Sequence, residues 1–264
     1  MLTRPDTADR SSTPTMRLLS LIEAIATKNQ FFSLQSLVDE LGWPKPTMHR
    51  MLLQLESAGI VARESGGSYF NAGGRLHRIA QNALLNNTLN GARQSVLQQL
   101  VATVGEGVYL AACFGSEVIC IDSVDTNQPL QYRLERGVRL PIHCTASGKL
   151  FLSQMSLLQR RRLLEHCELA QLTGRTIMDA AGLRADLQRI ADDGYAISDE
   201  EYIVGLISIA VLVPVIKGQS NLAVAIQGPK TRITRESALA WLPALYQASQ
   251  ALALIDLDTQ PDAR

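Results

Sequence analysis

The stretch that decides the fold of the first part of the chain is GWPKPTMHRMLLQLESAGIV, which runs from Gly42 to Val61. Two prolines flank a lysine, and a strongly periodic segment begins directly behind them. Gly59 follows that segment as a natural C-terminal glycine. The apolar residues recur at i, i+3, i+4 and i+7, the spacing of one buried helical face: Met48, Met51, Leu52 and Leu55. The stretch therefore predicts a helix with a stiff, basic N-terminus.

The segments on either side extend this helix into a larger pattern. Pro14, behind a Ser-Thr pair, marks the start of a first helix, and Ser33 is placed to cap a short second helix that Gly42 ends. Beyond the third helix, β-rich pairs flank Gly66–Gly67, a strong hairpin signal. The order helix, helix, turn, helix, ribbon over residues 14–74 predicts a winged helix-turn-helix domain.

The polar side of the third helix carries residue types that contact DNA. An α-helix fits the major groove, and its N-terminal residues meet base edges and phosphates. Taken alone, such a face is equally typical of an ordinary surface helix, and Arg63 on the ribbon is either a wing contact to phosphate or an ordinary hairpin arginine. The order of the elements favours DNA binding. The candidate DNA-binding residues are Lys45, Pro46, Thr47, His49, Arg50, Gln54 and Arg63.

The remainder of the chain changes character after a further helix. Residues 75–89 predict a linker helix, and residues 90–257 predict a second domain of alternating strands and helices. Its expected class is α+β, built on an antiparallel sheet. The predicted strands are 108–114, 117–124, 130–134, 207–216 and 222–226, with a turn at 217–219. The predicted helices are 145–155, 157–165, 183–191 and 238–254.

The composition of the chain limits the number of domains and the classes of protein to which it can belong. The chain has 264 residues, no formal net charge and 46% hydrophobic residues, enough for one large or two ordinary domains. The four cysteines form no C-x-x-C pair, so zinc-finger and redox motifs are absent. The longest apolar run is too short to span a bilayer. We expect a cytoplasmic protein with no membrane partner, a disordered leader at 1–13 and a tail at 258–264.

The segment HCTASGK, residues 143–149, joins a strand region to a helix. Thr145 is placed to cap that helix, whose free N–H groups can receive a carboxylate. The small residues Ala146, Ser147 and Gly148 allow a ligand to approach the backbone. The segment ends like a phosphate-binding loop, but Cys144 stands where that motif requires its first glycine.

The same segment raises three other possibilities. A nucleophilic Cys–His pair is disfavoured because neighbours in sequence rarely form such a dyad. A metal site of His143, Cys144 and Cys167 lacks a recognisable spacing. Cys144 is either a redox-sensitive thiol or a small buried pocket residue, and the second is favoured. We therefore expect no catalytic residues, no metal and no cofactor.

The stretch SLQSLVDELGWPKPTMHRMLLQLESAGIVARE resembles the DNA-binding domain of the IclR family of bacterial transcription regulators. The matching pattern is Gly42, Pro44, Lys45, Thr47 and Arg50. Proline at position 46 departs from the serine common in the family, and YFNAG departs from its usual Tyr-x-Leu-Gly. The lost serine removes one possible cap or phosphate contact without threatening the fold.

Two later segments, at 137–155 and 172–213, resemble the effector domain of the same family. The likeness spans roughly residues 15–255. It implies a GAF-like domain, in which a curved antiparallel sheet carries a ligand cavity on one face. Ser198 stands where relatives place a ligand-contacting acid, so a charge there is lost or supplied by a neighbouring acid. The implied effector-binding residues are Leu130, Tyr132, Thr145, Ala146, Ser147, Ser198, Ser208, Ala225 and Gln227.

The resemblance also implies partners. It indicates a homodimer or dimer of dimers on a double-stranded DNA operator. The expected effector is a small organic acid, aromatic acids included, and the expected target is a catabolic operon. The first helix and the linker helix would supply dimer contacts. One rival hypothesis is a GAF-like metabolite-binding or enzymatic module whose N-terminal helices only dimerise. Another is a regulator without any ligand. Core packing is the alternative role for the wall residues Leu130, Tyr132 and Ala225.

Overall fold

The computed structural model describes residues 13–28, 31–64, 67–85, 90–166, 169–215 and 220–257. The chain divides into two units, residues 1–80 and 81–264, each with its own buried apolar core. The predicted leader up to residue 12 and the predicted tail lie outside the described residues. Among the helices that the structure describes, none is long and apolar enough to cross a membrane.

The first unit contains three helices, a small sheet and the start of a fourth helix. In chain order the elements are α1 (Pro14–Ala26), β1 (Phe32–Ser33), α2 (Leu34–Leu41), α3 (Lys45–Ser57), β2 (Val61–Arg63), β3 (Tyr69–Ala72) and α4 (Gly74–Leu85). The strands pair antiparallel in the order β1-β3-β2. This is the predicted winged helix-turn-helix. The division between the two units falls inside α4.

Local chemistry sets the ends of α2 and α3. Ser33 caps α2 in a reciprocal capping box with Ser36. Gly42 ends α2 at φ +67° and Gly59 follows α3 at φ +71°, a left-handed backbone that favours glycine. The buried side chains of α3 are the four predicted ones, and each contributes about 1.5–3 kcal/mol by leaving water: Met48, Met51, Leu52 and Leu55. The predicted buried face is confirmed.

The wing differs from its prediction in one respect. A third strand, β1, pairs with β3 and makes the ribbon a three-stranded sheet. Two residues are too few to show the alternation by which a strand is recognised in a sequence. Gly66, in the predicted turn, lies outside the described residues.

The second unit is built on one sheet with helices on both faces. Its elements are α5 (Asn90–Val104), β4 (Gly107–Phe114), β5 (Glu117–Val124), β6 (Arg139–Leu140), α6 (Ala146–Gln154), α7 (Leu157–His166), α8 (Ala180–Asp193), β7 (Tyr195–Asp199), β8 (Leu206–Leu212), β9 (Leu222–Pro229), α9 (Arg235–Ala240) and α10 (Leu242–Leu257). The strand order is β6-β5-β4-β9-β8-β7, with every neighbouring pair antiparallel. The α+β class is confirmed.

The two faces of this sheet carry different side chains. Helices α5 and α10 pack on one face, and α6 and α8 pack on the other. The α6 face has small residues at its centre, which allow α6 to lie close to the strands. These small residues are Ala111, Ala196, Ala210, Ala223 and Ala225.

Several predicted elements of this unit are corrected. Residues 130–134 form no strand, and they run as irregular chain. The predicted closing helix is two helices, because Pro243 lacks an N–H and its ring clashes with the preceding turn. The predicted strand 207–216 ends at Leu212, two residues before Pro214, and the predicted turn at 217–219 lies outside the described residues. Helix α8 starts three residues earlier than predicted, at an Asp179 cap.

Candidate functional site

The first candidate site is the N-terminal half of α3. The helix starts behind Pro44 without a side-chain cap, and Pro46 occupies its first turn. The N–H groups of Thr47 and Met48 both donate to the Pro44 carbonyl oxygen, at 3.0 and 3.1 Å. Thr47 is half-buried, and the other predicted contacts on α3 are exposed: Lys45, Pro46, His49, Arg50 and Gln54. The structure thus brings these side chains together at one end and along one side of α3.

Arg63, the predicted wing contact, is already engaged within the unit. Its Nε and Nη2 donate to Oε1 and Oε2 of Glu56, both at 2.9 Å. Its guanidinium carbon lies 4.5 Å from the centroid of the Phe70 ring. The hydrogen bond from Arg63 lowers the pKa of the Glu56 carboxyl, so this pair is charged at neutral pH.

The second candidate site lies where one end of the large sheet meets the N-terminus of α6. Three polar residues stand directly opposite one another on neighbouring strands, Ser198 facing Ser208 and Ser208 facing Gln227. All three are buried. The Gln227 amide nitrogen lies 3.4 Å from the Tyr132 carbonyl oxygen, to which it donates. A row of hydrogen-bonding groups therefore crosses three strands inside an otherwise apolar core.

The start of α6 is fixed against this row by side chains. The Thr145 hydroxyl donates to the Pro141 carbonyl at 2.7 Å and accepts from the Gly148 N–H at 3.2 Å, which confirms the predicted cap. The Ser198 hydroxyl donates to the Cys144 carbonyl at 2.6 Å. The first two N–H groups of the helix, at Ala146 and Ser147, have no acceptor within the helix by its geometry.

Aromatic residues line the same region. The hydroxyl groups of Tyr109 and Ser147 lie 3.4 Å apart, and burial raises the pKa of Tyr109 above its ordinary range, so the phenol stays protonated. Tyr132 is half-buried against the apolar core. Burial, with a contact to Tyr202, raises its pKa to about 12. Leu130, by contrast, is 58% exposed and is not brought into this region.

Gly148 has a role that differs from the expected one. A Cβ at this position would lie 2.3 Å from the carbonyl oxygen of Ile142 and 2.6 Å from its Cα. The chain itself, rather than a ligand, therefore occupies the space that the glycine leaves. The small residue permits close packing of α6 against the preceding segment.

A buried charge cluster is centred on Lys149 of α6, with one carboxylate from α8 and one from the segment after β7. Lys149 is 1% exposed, and its Nζ donates to Asp186 at 2.8 Å and to Glu201 at 2.5 Å. Burial raises the pKa of Glu201 despite the nearby ammonium. Burial also acts to raise the pKa of Asp186, but Lys149 and Arg189 outweigh it and hold that pKa below its ordinary value. The ammonium of Lys149 is thus engaged in internal ion pairs, whereas the lysine of a phosphate-binding loop donates to a bound phosphate.

The remaining candidates of the HCTASGK segment are buried. The His143 ring nitrogen Nε2 lies 3.0 Å from the Ala170 carbonyl oxygen. Burial raises the pKa of Cys144 to about 12, so its thiol is protonated and poorly reactive. Cys167 lies outside the described residues, and among those described no three His, Cys, Asp or Glu side chains are grouped to hold a metal ion.

Four residues that contribute to these sites are not among the candidates predicted from the sequence. Tyr109 sits within a correctly predicted strand, and its inward position follows from the strand alternation. Lys149 was noted only as part of a motif. Its partners are distant in sequence, so no local pattern connects them. The missed contributors are Glu56, Tyr109, Asp186 and Glu201.

A winged helix-turn-helix unit followed by an α+β unit is the architecture of a DNA-binding transcriptional regulator. Comparison with known proteins supports this class. The IclR helix-turn-helix domain matches residues 14–65, and the bacterial transcriptional regulator IclR C-terminal domain matches residues 81–254. The chain belongs to the IclR family of transcriptional regulators, whose members bind DNA and are not enzymes. The GAF-like description of the second unit agrees with this family.

Two curated relatives and one solved structure illustrate the likeness. "Probable transcriptional regulator SauR" of Cupriavidus necator is 33% identical over 93% of this chain and 97% of its own length. The acetate operon repressor of Salmonella typhimurium is 31% identical over 83% of this chain and 80% of its own length. An IclR homologue from Microbacterium hydrocarbonoxydans, complexed with 4-hydroxybenzoate, has a TM-score of 0.57 and 19% identity over 92% of this chain and 98% of its own.

Proposed function

We propose that this regulator binds a palindromic operator as a dimer through α3 and is controlled by a small organic acid bound at the start of α6. The observation that carries the DNA-binding part is the two-sided character of α3. One side is held in the core by four apolar residues, while Lys45, His49, Arg50 and Gln54 are exposed. A helix held in this way presents its N-terminal side chains to the major groove.

Replacing Arg50 with alanine is expected to weaken operator binding about tenfold to a hundredfold, the range for one base or phosphate contact. The slope of log affinity against log salt is expected to fall by about one. The probe is a duplex selected by this protein from a random pool, titrated at two salt concentrations. Arg161→Ala is the matched control, because that arginine is largely exposed on α7 and pairs with Glu165.

The outcomes of this titration separate the hypotheses. Unchanged affinity of the Arg50 variant would remove that residue from the interface. If the wild-type protein showed no salt-dependent binding to any duplex, the rival metabolite-binding module would be favoured. Binding to a single half-site is expected to be much weaker than to the full site, and equal affinities would argue against a dimer.

Exposed apolar side chains support the dimer. Met16 and Leu19 lie on α1 with about half of their surface exposed, and Ile79 on α4 is exposed to a similar degree. Large apolar residues exposed on neighbouring helical turns are typical of an association surface. We assign α1 and α4 to the dimer contacts and residues 75–89 to a linker between a DNA-binding domain at 14–74 and an effector domain at 90–257; residues 86–89 lie outside the described residues.

The effector part of the proposal rests on the second site. Free N–H groups at a helix N-terminus suit a carboxylate, and α6 offers those of Ala146 and Ser147. The Ser198–Ser208–Gln227 row supplies hydroxyl and amide groups for the remainder of a small polar molecule. The acetate operon of one relative and the 4-hydroxybenzoate of one structural neighbour are consistent with an acid of this kind. We retain Thr145, Tyr132 and Ala225 as proposed contacts, and we drop Leu130 because its side chain is exposed outside this region.

Replacing Ser147 with tryptophan is expected to abolish the effector response, because the indole would fill the space at the start of α6. The measurement is a thermal-shift screen with two- to four-carbon carboxylates and 4-hydroxybenzoate, followed by operator titration with any acid that stabilises the wild-type protein. Ser153→Trp, on the same helix, is the control. An intact response in the Ser147 variant would place the pocket elsewhere, and no stabilising acid for the wild-type protein would favour a regulator without a ligand.

A further inference from the structure

Glu56 and Arg63 connect the two parts of the first unit that would meet DNA. Glu56 lies in the last turn of α3, and Arg63 is the last residue of β2. The Nε and Nη2 of Arg63 each donate to one oxygen of the Glu56 carboxylate, at 2.9 Å. A paired fork of this kind fixes orientation as well as distance.

A second contact, with the Phe70 ring, also holds Arg63 in place. Arg63 and Phe70 are directly opposite on β2 and β3, and the guanidinium lies over the Phe70 ring. Phe70 is in turn opposite Phe32 on β1, and their rings stack with centroids 6.1 Å apart. Arg63, Phe70 and Phe32 thus form a row across all three strands. The row ends on Glu56, which belongs to the helix.

We propose that this arrangement is a brace, and that Arg63 is a positioning residue for the wing rather than a phosphate contact. The inference rests on the proposed function of α3. The Nε and Nη2 of Arg63 already donate to Glu56, and that carboxylate balances the positive charge of the arginine. A bidentate pair with an aromatic backing is the kind of surface ion pair that restricts geometry, whereas isolated surface pairs contribute little.

The two roles predict opposite effects for Glu56→Gln. If Arg63 contacted phosphate, removal of the Glu56 charge would release the arginine and tighten binding to every duplex. If the pair is a brace, the wing loses its fixed angle to α3, and binding to the selected duplex suffers more than binding to random duplex. The informative quantity is therefore the ratio of the two affinities, since the general electrostatic attraction cancels in it.

The experiment measures this ratio for the full-length protein and a set of variants. Glu56→Gln and Arg63→Gln are each expected to lower it about tenfold. The double variant is expected to lower it no further, because both changes remove one interaction. The charge swap Glu56→Arg with Arg63→Glu is expected to restore part of it, which a general loss of stability would not allow. Glu40→Gln is the matched control, since Glu40 lies on α2 of the same unit and pairs with Lys28, which follows α1.

Each outcome decides the question. An unchanged ratio in Arg63→Gln, with equal weakening on both duplexes and a salt slope lower by about one, would establish a phosphate contact and overturn the brace. Tighter binding of Glu56→Gln to both duplexes with an unchanged ratio would do the same. If the wild-type protein bound no duplex in a salt-dependent manner, the proposed function itself would fail. A wild-type preference with unaffected variants would refute the brace alone.

Discussion

Replacing Lys149 with methionine is expected to lower the free energy of unfolding of the second unit by about 3–5 kcal/mol, the cost of removing one partner from a buried ion pair. The ammonium is 1% exposed and donates to both Asp186 and Glu201. Methionine fills most of the space, so the loss reports chiefly the Glu201 carboxylate left without its cation, since Asp186 keeps its pair with Arg189. The chain has two tryptophans, Trp43 and Trp241, one in each unit. Urea unfolding in a Trp43→Phe background therefore follows the second unit through Trp241.

The loss caused by Lys149→Met is expected to depend on pH. In the wild-type protein the pKa of Asp186 is lowered and that of Glu201 is raised. Without the ammonium, the main effect that opposes burial at Glu201 is lost, and its pKa in the folded state is expected to rise further, so the folded state binds more protons than the unfolded one. Stability then falls as pH rises through that pKa. The deficit should be smaller at pH 5 than at pH 8.

Two further variants test the origin of this loss. Glu201→Gln in the Lys149→Met background is expected to recover part of the stability, since it removes the carboxylate that has lost its cation. Arg161→Met breaks an exposed pair on α7 and is expected to leave the urea midpoint nearly unchanged, since solvent screens such a pair. A loss below about 1 kcal/mol for Lys149→Met, unaffected by pH, would contradict the buried-charge account.

Replacing Gly148 with alanine is expected to destabilise the second unit by about 3 kcal/mol, the upper end of the cost of overpacking. The added Cβ would lie 2.3 Å from the Ile142 carbonyl oxygen, and a backbone atom cannot move aside as a flexible side chain can. The start of α6 must shift, and with it the Thr145 cap. Urea unfolding measures the loss in the same Trp43→Phe background, and the thermal-shift screen reports whether an acid still binds.

Gly174→Ala provides the control for this substitution. A Cβ at Gly174 would meet nothing within 4 Å, and its φ is not in the left-handed region. The expected change is within about 0.5 kcal/mol. If Gly148→Ala were as mild as Gly174→Ala, the segment around Ile142 would have to be looser than the structure indicates, and the glycine would have no packing role.

The order of elements in the first unit follows directly from local patterns in the sequence. The buried face of α3, the Ser33 cap and the Gly42 stop each depend on residues within one or two helical turns, where periodicity and capping are informative. Strand β1 was missed because its two residues acquire their conformation from β3, a partner almost forty positions away. Short strands of this kind depend on tertiary pairing.

The second unit shows the same limit. The long strands β4, β5, β8 and β9 are apolar and bounded by turn residues, and all four were predicted close to their observed positions. The segment 130–134 has β-rich composition, but β6, at 139–140, takes the place beside β5. Which strand fills an edge depends on register and turn geometry.

The proposed DNA-binding face of α3 can be predicted from the sequence more directly than the α6 site, for a physical reason. The N-terminal face of α3 could be listed from one helix, because the residues share a helical surface. The α6 site contains residues from β4, β7, β8 and β9, and no spacing in the sequence connects them. Most of them were predicted only because the chain resembles a known family. The internal engagement of Arg63 depends on a carboxylate seven residues earlier and a ring seven residues later.

The proline-marked start of α3 has a consequence for how the helix would hold DNA. Pro46 has no N–H, and the N–H of Thr47 is already bonded to Pro44, so the first turn offers few backbone donors to an incoming phosphate. The anchoring then falls to mobile cationic side chains, Lys45 and Arg50, instead of rigid amides. Attachment through such groups is released by counterions, so the strength of this contact would follow the ionic strength of the cell closely.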